Sequence, residues 1–150
     1  PDLMKRKIDF VRQVLDFHQD YLDVSNEIDR VHTIIARVGG FDIAAITGAM
    51  IACTEHRVPF VIDGFITAVA AACATHINPQ VEDYALPSHH SRERGMDIAL
   101  AEVGLTRDMV PIQAQMAMGE GTGAILMVQM LRTTHHMFVN VGTFADIMKL

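Results

Sequence analysis

The stretch 58–76, Val58-Pro-Phe-Val-Ile-Asp-Gly-Phe-Ile-Thr-Ala-Val-Ala-Ala-Ala-Cys-Ala-Thr-His76, decides the fold. Val58 to Asp63 is a β-branched and aromatic run with a proline near its start, and it stops at Asp63-Gly64, the pattern of a buried strand. Phe65 to His76 is nearly all apolar and rich in alanine, which predicts an interior helix packed on that strand.

Working outward toward the carboxyl terminus, Val81 to Pro87 (VEDYALP) reads as a second strand. Polar Ser88-His-His-Ser91 follows it, then a helix from about Arg92 to Val103. The segment Val110 to Ala117 has no assignable type, and a long helix runs from Thr122 to about His136. Toward the amino terminus, Leu3, Ile8, Val11, Val14, Leu15 and Phe17 follow helical spacing over Asp2 to His18. A second helix spans about Asn26 to Val38 and is ended by Gly39-Gly40, and a third spans Asp42 to Glu55. Small Ala44 and Gly48 in the third helix let another element approach closely.

Strand, glycine turn, helix, strand, polar turn, helix is the rhythm of parallel α/β units. The expected fold is therefore one helix-rich α/β domain over residues 1–150: a parallel sheet with flanking helices, Rossmann-like and three-layered. In such sheets ligands meet the carboxyl ends of the strands. That rule selects Asp63-Gly64, Ser88 to Ser91 and the Gly119 to Gly123 turn.

Bulk properties narrow the function. The 150 residues are half apolar, enough for a real core, and the net charge of -6 leaves no broad basic surface for a phosphate backbone. Nucleic acid is not an expected partner. Cys53 and Cys73 lie in apolar helical stretches without metal or redox spacing, as buried thiols in a reducing compartment do. The chain opens on charged Pro1-Asp-Leu-Met-Lys-Arg-Lys7 without the features of a signal peptide. The most apolar segment, 58–75, is interrupted by Pro59 and Asp63, so no membrane span is expected. A soluble cytoplasmic protein is the reading that follows.

The stretch Met118-Gly-Glu-Gly-Thr-Gly-Ala124 sets a carboxylate between two glycines at the start of a helix. Gly119 to Ala124 fits the form GxGxxA of a dinucleotide turn. However, a glutamate at the second position would oppose the pyrophosphate that such a loop holds. The glycines remove bulk, so a flat ligand could lie on the backbone with the Glu120 carboxylate at its edge, which suits a general base. The plainer reading is an acidic residue in the first helical turn, favourable to the helix dipole. Asp63-Gly64 could bind a ribose hydroxyl and a phosphate, or Asp63 could cap the next helix. Ser88 or Ser91 could bind phosphate or cap a helix. Met118 could contact an aromatic ring. The pairs His89-His90 and His135-His136 point apart as neighbours in sequence do, no HExxH spacing exists, and solvated histidines are expected rather than a metal site.

Three stretches together resemble a known family. Val38-Gly-Gly-Phe-Asp-Ile-Ala-Ala-Ile-Thr-Gly-Ala49, the Val-Pro-Phe-Val-Ile-Asp-Gly-Phe65 run and Met118 to Ala124 are similar, in order and spacing, to the carboxyl-terminal part of nicotinate-nucleotide:dimethylbenzimidazole phosphoribosyltransferases. Ser88-His-His-Ser-Arg-Glu-Arg-Gly95 and Gly142-Thr-Phe-Ala145 add to the likeness, which covers essentially the whole chain.

The resemblance implies an α/β fold and transfer of phosphoribose from nicotinate mononucleotide to 5,6-dimethylbenzimidazole. The products would be α-ribazole 5′-phosphate and nicotinate, a step toward the lower ligand of cobalamin. It implies Glu120 as the general base, with Met118, Gly119 and Gly121 around the base. Asp63 and Gly64 would lie near the ribose and phosphate, and Ser88, Ser91 and Lys7 would lie toward the phosphate. No cofactor and no metal are called for. The implied partners are the two small-molecule substrates and either a second copy in a homodimer or a missing amino-terminal half. Family members are longer, with a phosphate loop and much of the base pocket upstream. The isolated chain is therefore expected to show little or no turnover, and a non-catalytic base- or nucleotide-binding module is the alternative.

Overall fold

Two short parallel strands and the helix joining them lie at the centre of the computed structural model, which describes residues 2–117 and 119–148. Strand β1 is Phe60–Ile62 and β2 is Ala85–Pro87, paired Phe60 with Ala85, Val61 with Leu86 and Ile62 with Pro87. The helices are α1 (Asp2–Phe17), α2 (Glu27–Val38), α3 (Phe41–Glu55), α4 (Phe65–Ile77), α5 (Met96–Ala101), α6 (Thr122–Asn140) and α7 (Phe144–Ile147). Helix α4 is the crossover between the parallel strands, as the stretch 58–76 requires. The fold is α/β, helix-rich, with a small parallel sheet.

Alanine makes the centre possible. Ala68, Ala70, Ala71 and Ala74 of α4 are fully buried, so neighbours can approach the helix from several sides at once. Helix α3 lies close enough for the Thr47 hydroxyl to donate to the Ala70 carbonyl at 3.2 Å. Ile62, Val81, Met96, Leu100 and Val103 complete the core around them. Each such side chain contributes roughly 1.5–3 kcal/mol by leaving water.

Helices α2, α4 and α5 are also tied by one histidine. His76, near the end of α4, lies 2.6 Å by Nδ1 from Glu27 Oε1 and 2.8 Å by Nε2 from Glu102 Oε2. Two carboxylates facing both ring nitrogens call for two N–H donors, so the imidazolium is the form that fits. The His76 pKa is accordingly raised, chiefly by the hydrogen bond to Glu27 and then by that to Glu102. Burial, in contrast, raises the Cys73 thiol, and both cysteines are free and half-buried.

Several boundaries differ from the expectation for physical reasons. Of Val81 to Pro87 only Ala85–Pro87 is strand. Pro79–Tyr84 is a 3₁₀ helix, begun where the Asn78 side chain accepts from the Gln80 amide. The expected helix from Arg92 starts only at Met96: the Arg92 amide donates to the Met116 carbonyl and the Ser91 hydroxyl accepts from the Glu93 amide. These bonds hold 91–93 out of a helix. The unassigned segment 110–117 runs beside the end of β2. Ile112 pairs in parallel with His89, its amide donating to the Ser88 carbonyl and its carbonyl accepting from the His90 amide. It extends the small sheet by a third, extended lane. Helix α6 continues past His136 to Asn140.

The outer helices are less enclosed. Helix α1 has no buried residue and exposes Leu3, Phe10 and Phe17, while α6 exposes Ile125, Met137 and Phe138. Among the described residues no helix is long and apolar enough to cross a membrane.

Candidate active site

The three strand-end segments chosen from the sequence converge. Where β1 stops, the chain turns at Asp63-Gly64 into α4. Where β2 stops, it continues into Ser88 to Ser91. The Gly119 to Gly123 turn that opens α6 lies across both.

Ser88 joins the first two segments. Its side chain is 1% exposed, and its hydroxyl lies 2.6 Å from the Ile62 carbonyl and 2.9 Å from the Asp63 carbonyl. Carbonyl oxygens only accept, so the hydroxyl proton is committed to β1.

Asp63 joins the first segment to the third. One carboxylate oxygen, Oδ2, accepts from the Gly121 amide at 3.1 Å, and Oδ1 accepts from the Ala124 amide at 2.9 Å. The first amides of a helix have no intrahelical acceptor, and their partial positive charge favours an anion. Asp63 meets both needs for a helix about 60 residues away in sequence. It therefore caps α6, whereas the plainer sequence reading gave it the next helix, α4. At α4 the Gly64 amide instead donates to Thr67 Oγ1 at 2.9 Å.

Glu120 is placed by that clamp. It precedes the helix rather than occupying its first turn, and its backbone is left-handed, with φ of 64°. The plainer reading of Glu120 as a dipole-satisfying residue of the first turn is thus replaced, because Asp63 already holds that position. Gly121 follows at φ of 76°, a conformation that favours glycine. A side chain added at Gly119 or Gly121 would meet no atom within 4 Å, so the turn stands clear on both sides of an exposed carboxylate. This arrangement can present one acidic group to the edge of a flat molecule lying on bare backbone. Met118 lies outside the described residues.

Ser91 is buried and is occupied with the Glu93 amide at 3.3 Å. It borders a polar cleft of about 440 Å³ that Arg92, Arg94 and Arg107 also line. Lys7 is exposed on α1, outside the hydrogen-bonded cluster. It lines a separate cleft of about 490 Å³ with Arg92, Arg94 and Gly95, the residues that follow Ser91. The structure thus unites Asp63, Gly64, Ser88 and the Gly119 to Gly121 turn, and sets Ser91 and Lys7 beside two clefts that share Arg92, Glu93 and Arg94.

His89 is the residue that sequence reasoning missed. Expected to be solvated, it is 1% exposed, with its ring against the backbone of both glycine turns. A Cβ at Gly123 would fall 1.9 Å from its Nδ1, and one at Gly64 would fall 3.6 Å from its Cε1. Its neighbour His90 is likewise packed, with Nε2 2.7 Å from Asp97 Oδ1. No spacing in the chain announces this. The only trace is Gly123, whose missing side chain leaves the space that the ring fills.

A phosphoribosyltransferase family model (DBI_PRT) matches residues 1–147. Among curated relatives, a protein of Acetivibrio thermocellus named nicotinate-nucleotide--dimethylbenzimidazole phosphoribosyltransferase is 36% identical over 97% of this chain and 39% of its own length. One of the same name from Vibrio vulnificus is 40% identical over 76% of this chain and 32% of its own. The crystal structure of CobT from Thermus thermophilus superimposes with a TM-score of 0.69 at 32% identity, covering 77% of this chain and 33% of the solved one. The chain spans about two fifths of the length of the curated relatives it matches.

Proposed function

Because this chain belongs to the phosphoribosyltransferase family, we propose that its site serves phosphoribosyl transfer from nicotinate mononucleotide to 5,6-dimethylbenzimidazole. One ring nitrogen of the base attacks C1′ of the ribose and forms the new C–N bond. The bond from C1′ to the pyridinium nitrogen breaks, and its electron pair leaves with nicotinate. The proton on the other ring nitrogen goes to the Glu120 carboxylate. A pyridinium leaves as a neutral pyridine ring, so no acid is needed to protonate it.

The observation that carries the reading is the Asp63 clamp on the Gly119 to Gly123 turn, which fixes an exposed carboxylate at the mouth of the sheet. A general base must be held at the proton it removes, and a positioned one contributes about 10²–10⁴-fold. Gly119, Gly121 and Met118 would border the flat base. Asp63 and Gly64 would lie near the ribose and phosphate, and Ser88 or Ser91, with Lys7, would lie toward the phosphate. The substrates and any homodimer or amino-terminal partner are parts of the same proposal.

The test compares nicotinate release by the whole polypeptide that carries these residues, with and without 5,6-dimethylbenzimidazole, before and after Glu120→Gln. Base-dependent release that drops by about 10²-fold or more supports the reading. Equal rates in the two proteins would overturn it.

A further inference from the structure

An apolar groove of about 410 Å³ runs along α4 between α2 and α5. Val31 and Ile34 of α2 line one side, Ile98 and Ala99 of α5 the other, and Val69 and Ala72 of α4 lie between them. The Phe65 ring closes one end. It packs on the Gly95 backbone, where a Cβ would fall 2.8 Å from two ring atoms.

The other end is charged. His76 and Glu102 line it, and Glu27 meets the far nitrogen of the His76 ring. An imidazolium between two carboxylates leaves one negative charge over. Each carboxylate gives one oxygen to the ring, and among the described residues neither side chain has another hydrogen bond or ion pair. An apolar hollow with a few placed polar groups is the usual form of a small-molecule site, and here the surplus charge selects the head group. An anion would be repelled, and a neutral head would leave the charge unanswered. A single cation on an apolar body matches both ends.

We infer that the groove between α2, α4 and α5 binds a small amine with an apolar body, which lies over Ala72 while its ammonium group donates to the free oxygen of Glu102. Phe65 offers an aromatic body a ring to pack against. None of the residues lining the groove belongs to the proposed transfer machinery, so this site stands whether or not that reading does.

Cys73 reports on the groove, because its half-buried thiol lines it while that of Cys53 on α3 does not. The experiment follows the reaction of both thiols with an aromatic disulfide reagent in the presence of phenethylamine, phenethyl alcohol or hydrocinnamate, probes that share one body and differ in the head. The amine should protect Cys73 saturably and leave Cys53 unchanged. It should do so at concentrations roughly three- to fivefold below those the alcohol needs, the gain expected of a partly solvated ion pair. Hydrocinnamate should protect least. Glu102→Gln should erase the difference between amine and alcohol, and Ala72→Leu, which fills the groove, should abolish protection by either. Glu102 is exposed, so its variant keeps the test decisive if Ala72→Leu does not fold. Equal protection by amine and alcohol in the parent chain overturns the inference, as does stronger protection by hydrocinnamate or protection that survives Ala72→Leu. Absence of protection by the amine, with a sedimenting dimer that Ala72→Leu dissociates, would assign the groove to a second copy and overturn it too.

Discussion

Two turns in this molecule have the same local sequence, an acidic residue followed by glycine where apolar chain becomes helix, and opposite fates. Asp63-Gly64 ends β1 under the sheet edge. Asp63 is 9% exposed, and its carboxylate is held by two backbone amides. Glu120-Gly121 opens α6 at the surface, with a left-handed backbone and an exposed carboxylate that has no hydrogen-bond donor among the described residues. The buried acid serves structure so that the exposed one is free to meet something else. Reactive groups are commonly carried on exposed turns positioned by a rigid scaffold, and here the scaffold's grip is a single carboxylate.

The strongest way to break the comparison is at the contact between the two turns. Gly123→Ala would place a methyl group 1.9 Å from a fully buried ring whose other side is packed, so neither partner can yield cheaply. A loss of about 3 kcal/mol or more is expected in urea unfolding. Gly119→Ala, which meets no neighbour, should unfold like the parent.

Asp63→Ala comes next. It strips the cap from α6 and leaves the Gly121 and Ala124 amides unpaired, a loss of about 2–3 kcal/mol. Asp63→Asn, which keeps one acceptor oxygen, should cost less. Hydrogen exchange would locate the effect: faster exchange at the start of α6 with α4 unchanged is the expected pattern, and uniform acceleration would contradict a local clamp.

Glu120 sharpens the comparison from the other side. A left-handed non-glycine residue is strained, so Glu120→Gly should raise stability by roughly 0.5–1 kcal/mol while abolishing base-dependent nicotinate release. A thermal melt beside the activity assay reads both. Lower stability would mean that Glu120 holds the turn rather than being held by it.

The smallest effect lies away from both turns. His76 has a raised pKa in the folded chain, so its clasp contributes stability that is fully present below the unfolded histidine value of about 6.5. That contribution is lost as pH rises through the higher folded value. His76 is partly solvated, and exposed ion pairs of this kind are worth at most about 1 kcal/mol. Denaturation midpoints should therefore fall modestly as pH rises above neutrality, and His76→Ala should remove that slope without touching the site.

Much of this protein was legible in its residues. The run Val58 to His76 specified strand, turn and buried helix, because β-branched residues after a proline and a string of alanines leave few alternatives. Asp63, Ser88 and Glu120 were legible as candidates through strand ends and glycine turns. Where reading failed, the deciding interaction was not local. Arg92 to Arg94 have helix-forming side chains, but their backbone is held by Met116 and Ser91, and Pro79–Tyr84 yields to a cap at Asn78. His89 looked like half of a solvated pair until the fold closed over it.

What the sequence determined by itself was the parallel α/β rhythm, the buried alanine helix and the three strand-end segments, all set by side-chain periodicity and turn chemistry. The tertiary structure alone decided that Asp63 caps α6 instead of the helix beside it. It also decided that Glu120 stands outside that helix and that one histidine ring spans both glycine turns. The reason is physical: periodicity is written in neighbouring residues, whereas the partner of a buried carboxylate or imidazole is whichever backbone group the fold brings within about 3 Å.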